Sequence, residues 1–232
     1  MSVFARKLLA EFLGTTLLLA TVVGSGIMGV ALANGNDGIA LLANAGATAG
    51  MLYVLIVIFG PISGAHFNPA VTLAMRLRGE VDSKTAIAFI TVQLAAAVAG
   101  VILAHAMFAL PLLQPGTHPR SGVAQWISES VATFGLLLTI LLGARHRASS
   151  LPALVASYIF AAYWFTASTS FANPAVTIAR ALTQTFAGIR PVDVGGFVIA
   201  QLLGMLLAIL VAAWLLEDAR SASGSASTEP RA

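Results

Sequence analysis

The chain has 232 residues, of which 58% are hydrophobic and only 9% are charged, and its formal net charge is +3. Soluble domains carry about 25% charged residues, so a water-facing surface cannot be built from this composition. The small net charge does not favour a nucleic-acid partner, and the absence of cysteine excludes disulfides, thiolate metal sites and cysteine nucleophiles. The composition indicates an integral membrane protein.

Six apolar segments are each long enough to cross the bilayer, since about 20 helical residues span ~30 Å of hydrocarbon. They lie at residues 8–32, 39–60, 85–109, 124–144, 151–168 and 194–216. We predict one domain over residues 1–218 and a small, polar tail at 219–232 that is expected to be disordered. The histidines show no metal-ligand spacing, so neither a metal site nor a cofactor is expected.

Basic residues are distributed unevenly between the two sides of the predicted spans. With the N-terminus inside, nine of the 12 Lys and Arg residues face the cytoplasm, and only Arg120, Arg180 and Arg190 face outward. Cytoplasmic segments of membrane proteins carry the excess of basic residues. The pattern predicts a multi-pass protein of the inner (plasma) membrane with both termini in the cytoplasm.

The chain contains two copies of one sequence pattern, at about residues 5–109 and 122–217. "HFNPAVTLAMRL" at 66–77 matches "FANPAVTIARAL" at 171–182. Each copy also has a glutamate before this motif and a Phe-x-x-x-Gln-Leu pattern after it, and the glutamates are Glu11 and Glu129. Each copy holds three spans, so the second must enter the bilayer from the opposite face, which predicts an inverted repeat with its site near the midplane.

Each Asn-Pro-Ala motif predicts the start of a short helix inside the membrane. Asn68 and Asn173 suit the N-cap position, and Pro69 and Pro174 suit the first helical position, where no backbone N–H is needed. The helical pattern that follows covers about 11 residues, or ~16 Å, which is half of the hydrocarbon thickness. We therefore predict an all-α membrane protein with six transmembrane helices and two re-entrant half-helices.

Two half-helices that enter from opposite faces meet at their N-termini, where each helix dipole is positive. The asparagine amides are then expected to donate hydrogen bonds into the gap between them. Such a centre repels cations and protons but lets uncharged solutes with lone pairs pass. These features specify a channel for small neutral molecules.

The six spans, the inverted repeat, "SGAHFNPAVT" at 63–72 and "NPAVT" at 173–177 resemble the major intrinsic proteins, the aquaporins and aquaglyceroporins. The resemblance implies a homotetramer with one pore per subunit, and no enzymatic activity. It further implies that Asn68-Pro69-Ala70 and Asn173-Pro174-Ala175 line the pore centre. Glu11 and Glu129 are expected to accept hydrogen bonds that brace the re-entrant loops.

The sequence departs from the family pattern at the outer selectivity filter. Most members have an arginine directly after the second Asn-Pro-Ala, whereas this chain has Val176. When the family's filter positions are placed on this sequence by counting residues from the two asparagines without gaps, they fall on Thr48, Ala161, Ser170 and Val176. A shift of one residue on the fifth span would replace Ala161 by Phe160. None of the four is aromatic, histidine or charged, which predicts a wide and mildly polar filter.

A wide filter without arginine suits compact, uncharged, hydroxylated solutes such as arsenous acid, and the valine resembles that of bacterial arsenite channels in the family. The predicted partners are therefore arsenite and related metalloid hydroxides, water, glycerol or urea, and the lipid bilayer.

Arg180, one helical turn after Val176, is expected either to line the outer vestibule or to extend to the membrane interface. His66 is expected to line the pore through a structural hydrogen bond rather than to act as a gate.

Two alternatives to an arsenite channel are kept open. One is a water or glycerol channel of the same family. The other belongs to a different class, a proton-coupled secondary transporter that uses Glu11 or Glu129, because a carboxylate inside the membrane often marks a proton pathway. The matched placement of the two glutamates relative to the half-helices favours the bracing role.

Overall fold

The computed structural model describes the backbone of residues 2–224 and the side chains of residues 2–217. Within this part of the chain the structure is all-helical. Six long apolar helices are α1 (Val3–Leu32), α2 (Asp37–Ser63), α4 (Ser83–Met107), α5 (Val123–His146), α6 (Leu151–Phe165) and α8 (Val194–Gly224). Two short helices, α3 (Pro69–Leu77) and α7 (Pro174–Arg180), follow the Asn-Pro-Ala motifs.

The predicted fold of six spanning helices and two half-helices is confirmed, with differences at the ends of elements. The half-helices contain nine and seven residues, so both are shorter than the sequence pattern indicates. Helix α8 continues to Gly224 and thus includes the first part of the predicted tail. Residues 225–232 of that tail lie outside the described part of the chain.

The six spans alternate in direction, so the first and last helices begin and end on the same side of the molecule. We call this side the terminal face and the other side the opposite face. Helix α3 runs from the centre back to the terminal face, and α7 runs from the centre to the opposite face. The two half-helices therefore enter from opposite faces, as an inverted repeat requires.

The helices pack in two related groups. Helix α1 packs against α2 and α4 in the first group, and α5 packs against α8 and α6 in the second. Helices α2 and α6 contact one another between the groups, and each half-helix touches a long helix of the other repeat, α3 against α8 and α7 against α4. The half-helices thereby join the two repeats at the centre of the molecule.

Glycines allow the closest helix crossings. A Cβ added at Gly100 of α4 would overlap the carbonyl oxygen of Thr16 in α1. In the second repeat, a Cβ at Gly204 of α8 would overlap the carbonyl oxygen of Ser130 in α5. Both crossings thus bring backbone against backbone, which only a residue without a side chain permits.

Candidate functional site

The two Asn-Pro-Ala motifs meet at the centre of the molecule. Asn68 donates from Nδ2 to the carbonyl oxygen of Ala172 at 2.8 Å, and Asn173 donates from Nδ2 to the carbonyl oxygen of Phe67 at 2.8 Å. Each asparagine therefore bonds to the residue that precedes the other motif. The predicted head-to-head arrangement of the half-helices is present.

Each asparagine also caps its own half-helix. The Asn68 Oδ1 accepts from the backbone N–H of Ala70 at 2.8 Å, and the Asn173 Oδ1 accepts from Ala175 at 2.9 Å and from Val176 at 3.3 Å. A side-chain amide has two N–H hydrogens, of which the cross-repeat bond uses one. Both asparagines line the central cavity, so the second hydrogen of each remains for a solute there.

The loops before the motifs have the same unusual backbone in both repeats. Ala65 and Phe67 have φ values of 51° and 48°, and Ser170 and Ala172 have φ values of 51° and 49°. Non-glycine residues rarely adopt this left-handed region, and such strain, of the order of 1–3 kcal/mol per residue, collects at functional sites. Here it accompanies the carbonyl groups of Phe67 and Ala172 that accept the bonds from the asparagines.

Glu11 holds the first re-entrant loop. Its Oε1 accepts from the backbone N–H of His66 at 3.0 Å and from the Ser63 hydroxyl at 2.6 Å, and its Oε2 accepts from the N–H of Phe67 at 2.8 Å. Gln93 of α4 also donates to Oε2 at 2.8 Å. The carboxylate is fully buried, and four donors compensate for the loss of water around its charge.

Glu129 holds the second loop in a matching way. Its Oε1 accepts from the N–H of Phe171 at 2.9 Å, and its Oε2 accepts from the N–H of Ala172 at 2.9 Å and from Gln201 Nε2 at 2.6 Å. The same Gln201 nitrogen donates to the Thr177 hydroxyl at 2.8 Å. The first repeat has the equivalent contact between Gln93 and Thr72 at 3.0 Å.

A cavity of about 480 Å³ runs from the terminal face through the centre of the molecule. Arg78, Glu80 and Arg145 line it at the terminal face, and both asparagines line it at the centre. His66 also lines it and forms a 3.1 Å hydrogen bond between Nδ1 and the Thr72 hydroxyl. At its other end the cavity reaches the position predicted for the selectivity filter.

Three of the four predicted filter residues line the outer end of the cavity: Thr48, Ser170 and Val176. Ala161 is the exception, because it is exposed on the outside of α6. Tyr163 lines the cavity instead, and its hydroxyl donates to the Thr48 hydroxyl at 3.3 Å. The prediction of a filter without an aromatic residue is therefore wrong.

The register of α6 explains this correction. Val155, Ile159 and Tyr163 line the cavity and lie four residues apart, so they share one helix face. Ala161 is two positions from Ile159, which is a rotation of about 200° on a helix of 3.6 residues per turn. Its side chain therefore lies on the side of α6 that faces away from the cavity. Phe160 is rotated by about 100° from Ile159, does not line the cavity and is 37% exposed.

Two arginines lie near the outer end of the cavity. Arg180 lines the cavity and is only 2% exposed, and its Cζ lies 3.4 Å from the centre of the Phe171 ring. The Arg180 side chain is therefore enclosed by protein and does not extend to the membrane interface. Arg120, from the loop between α4 and α5, is also buried, and its Cζ lies 5.0 Å from the same ring. None of the four predicted filter positions is charged, but Arg180, for which the sequence left the vestibule and the interface open, lines the outer end of the cavity.

Arg120 is a residue that sequence reasoning missed. It donates from Nε to the carbonyl oxygen of Gly188 at 2.9 Å and from Nη1 to that of Ser168 at 3.1 Å. Its backbone N–H donates to Asp193 at 2.8 Å. It thus ties the α4–α5 loop to the segments on both sides of α7. The only sequence signal was a single arginine in an outer loop, which is more often a solvated charge.

The fold, the two opposed half-helices and the cavity between them define a membrane channel for small solutes. The family model of the major intrinsic proteins matches residues 1–167, and the chain belongs to this family. It is 55% identical over 215 residues to aquaglyceroporin AqpS of Rhizobium meliloti (strain 1021), a match that covers 93% of this chain and 92% of that protein.

More distant relatives agree with this assignment. Aquaporin PIP2-7 of Arabidopsis thaliana is 36% identical over 144 residues, which cover 59% of this chain and 51% of the plant protein. The solved structure of the aquaglyceroporin from Plasmodium falciparum superposes with a TM-score of 0.68 at 16% identity, covering 92% of this chain and 95% of that chain. The structural likeness shows that the two proteins share a fold.

Proposed function

We propose that this chain forms a passive pore for arsenous acid and related metalloid hydroxides, in the inner membrane and with both termini in the cytoplasm. The observation that carries the proposal is the outer end of the cavity, where hydroxyl groups of Thr48, Tyr163 and Ser170 lie together with the short apolar side chain of Val176. The terminal face would then be cytoplasmic, and the opposite face would be external.

Hydroxyl groups suit a solute that both donates and accepts hydrogen bonds. The Ser170 hydroxyl is buried and has no partner within the described part of the chain, and the long Tyr163–Thr48 bond leaves both oxygens with lone pairs free. Arsenous acid is neutral near pH 7 and carries three hydroxyls, so it can exchange water for these groups without losing hydrogen bonds. The absence of cysteine also leaves no thiol in the pore to trap trivalent arsenic.

At the centre, the second N–H of Asn68 and that of Asn173 would bind a solute oxygen as it passes. A neutral solute gains hydrogen bonds from these donors, whereas a cation meets two helix N-termini of positive partial charge. We propose that Glu11 and Glu129 act by bracing the two loops, so that the donors stay in place while solutes move.

The proton-coupled alternative receives less support from the site. Glu11 and Glu129 are fully buried, and neither lines the cavity. A carboxylate that exchanges protons with each side of the membrane needs a path for water to reach it. A water or glycerol channel remains the nearest alternative, because hydroxyl groups at the outer end also suit glycerol and water.

The decisive experiment is arsenous acid uptake into proteoliposomes that contain wild-type protein or Val176→Arg. Arginine at 176 adds a long cation to the outer end of the cavity and narrows it, so arsenous acid uptake is expected to fall by about tenfold or more. Val192→Arg is the matched control, because Val192 is 80% exposed outside the cavity. Equal arsenous acid uptake in wild type and Val176→Arg would contradict the filter assignment.

Two further measurements separate the other candidates. Uptake of water and glycerol by the same vesicles ranks them against arsenous acid, and a faster glycerol rate would favour the alternative within the family. A pH gradient without a solute gradient is expected to drive no accumulation, since a passive pore follows only the solute gradient.

We also propose a homotetramer with one pore per subunit, which native mass spectrometry of the purified protein tests.

A further inference from the structure

Arg180 is a buried cation that has no counterion among the described side chains. Among the side chains that the structure describes, no carboxylate lies within 4.0 Å of its guanidinium group, although the residue is only 2% exposed. The other charged group at the Phe171 ring is also an arginine, Arg120. Burying a charge without a partner is costly, so the position needs an explanation beyond packing.

The hydrogen bonds of Arg180 leave part of the guanidinium group unused. Its Nε donates to the carbonyl oxygen of Ala187, and one face of the group lies on the Phe171 ring. Its Nη1 is buried and has no hydrogen-bond partner in the described part of the chain. By contrast, both Nε and Nη1 of Arg120 donate to backbone carbonyls.

The unused donor belongs to a group at the end of the cavity. Arg180 lies one turn beyond Val176 on the same half-helix, and both residues line the cavity together with Ser170. The Ser170 hydroxyl is likewise buried without a partner. A donor of fixed positive charge and a hydroxyl that can donate or accept therefore line the outer end of the cavity, and neither is satisfied within the protein.

We propose that Arg180 determines charge selectivity at the outer end of the channel. Its positive charge attracts the acceptor oxygens of incoming solutes and repels cations, while Val176 leaves open the position that arginine occupies in most of the family. The cation is thus moved one turn outward, about 5.4 Å along the helix, so that the filter gains width without losing its positive charge. This inference rests on the proposed channel function.

Arg180 also bonds to the Ala187 carbonyl, and a purely structural role would explain that contact alone. The two roles differ in what they predict for charged solutes. A structural arginine affects the amount of folded protein and all solutes equally. A selectivity residue changes the response to charge while neutral solutes of the same shape still pass.

The test uses three small planar probes of similar shape and different charge: urea, guanidinium and nitrate. Uptake of a neutral reporter, urea or arsenous acid, is measured in proteoliposomes with external guanidinium or nitrate. In the wild type, nitrate is expected to inhibit reporter uptake at a concentration about tenfold or more below that of guanidinium, because the positive charge of Arg180 attracts it to the outer end of the cavity. Equal effects of the two ions in the wild type would overturn the proposal without any variant.

Substitutions then locate the effect. Arg180→Met removes the charge and keeps the length, so nitrate inhibition is expected to disappear and guanidinium is expected either to pass or to block. Arg180→Lys restores the charge and should again exclude guanidinium. Arg147→Met is the control, because the Arg147 side chain is exposed on the terminal face and, within the described part of the chain, donates only to the neighbouring His146 carbonyl.

The outcomes distinguish this inference from the function on which it rests. If the wild type passes the reporter but Arg180→Met keeps both the nitrate inhibition and the exclusion of guanidinium, the role of Arg180 is refuted and the channel function stands. If the wild type passes no neutral solute at all, the channel function fails and the inference fails with it. Should Arg180→Met not fold, equal inhibition by nitrate and guanidinium in the wild type would still refute the proposal, and Arg180→Lys would test the position.

Discussion

Replacing Glu129 by glutamine tests whether this carboxylate braces the second re-entrant loop. The carboxylate accepts from two backbone N–H groups, those of Phe171 and Ala172, and from Gln201 Nε2. A glutamine offers only one acceptor oxygen, so in either orientation its NH₂ group faces one of the two backbone donors. Gln201 can rotate its amide to adapt, since its Oε1 has no partner in the described part of the chain, but a backbone N–H cannot.

The expected cost follows from this arrangement. One charge-assisted hydrogen bond is lost and one buried N–H is left unpaired, which together destabilise the protein by about 2–4 kcal/mol. Because the Ala172 carbonyl holds Asn68, displacement of the loop also disturbs the centre of the pore. Uptake of every solute is therefore expected to fall together, without a change in their ranking.

The assay combines thermal unfolding of the purified protein in detergent with solute uptake by proteoliposomes. Glu129→Gln should unfold several degrees below the wild type, and Glu11→Gln should behave alike because His66 and Phe67 donate to Glu11 in the same manner. Glu217→Gln is the control, since Glu217 is exposed near the end of α8. A Glu129→Gln protein with wild-type stability and normal uptake would refute the bracing role, and selective loss of proton-driven uptake would favour the transporter.

Two other predictions concern a helix crossing and an outer loop. Gly100→Ala places a methyl group against the Thr16 carbonyl, and we expect it to destabilise the protein by about 1–3 kcal/mol or more. Thermal unfolding measures this loss. Gly50→Ala is the control and should have little effect, because a Cβ there meets no atom within 4 Å. Burial and the nearby charges of Arg120 and Arg180 lower the pKa of His118 from its usual 6.5. The folded protein thus binds a proton at His118 less readily than the unfolded chain does. The free energy of unfolding should therefore decrease modestly as pH falls below 6.5 and level off below the lowered pKa. His118→Gln should remove this pH dependence, and an unchanged dependence would contradict the assignment.

Much of the fold could be predicted because polar residues are rare in this sequence and each carries information. The repeated Asn-Pro-Ala-Val-Thr motif indicated two half-helices, and the placement of Glu11 and Glu129 indicated their relation to the loops. In a bilayer, a polar residue inside a helix needs a partner. Their matched positions in the two copies therefore pointed to matched environments, and the structure shows equivalent hydrogen bonds to both.

The register of α6 could not be predicted for the complementary reason. The lipid-facing and cavity-facing sides of this helix are both apolar, so hydrophobic periodicity does not identify the cavity side. Aromatic residues occupy positions 160, 163, 164 and 165, and only Tyr163 lines the cavity. Counting residues from the Asn-Pro-Ala motif placed Ala161 in the filter, and the hydrophobic pattern of the helix gave no reason to prefer another residue.

The left-handed backbone at Phe67 and Ala172 also had no sequence signal. Glycine or asparagine usually marks such positions, and neither residue is present there. The conformation is stabilised from outside the loop by Glu11 and Glu129, which lie far away in the chain. Arg120 was missed on similar grounds, because its partners near Ser168 and Gly188 become neighbours only after folding.

The hydrogen bond between Asn68 and Ala172 joins residues 104 positions apart in the chain. During synthesis, the first re-entrant loop leaves the ribosome long before its acceptor exists. Until the second copy is made, the Asn68 amide lacks its acceptor, the Ala172 carbonyl, and the Phe67 carbonyl lacks its donor, Asn173 Nδ2. Both groups also lack the shielding that polar backbone needs in lipid. We therefore expect the first half to be stable in lipid only once the second half is present.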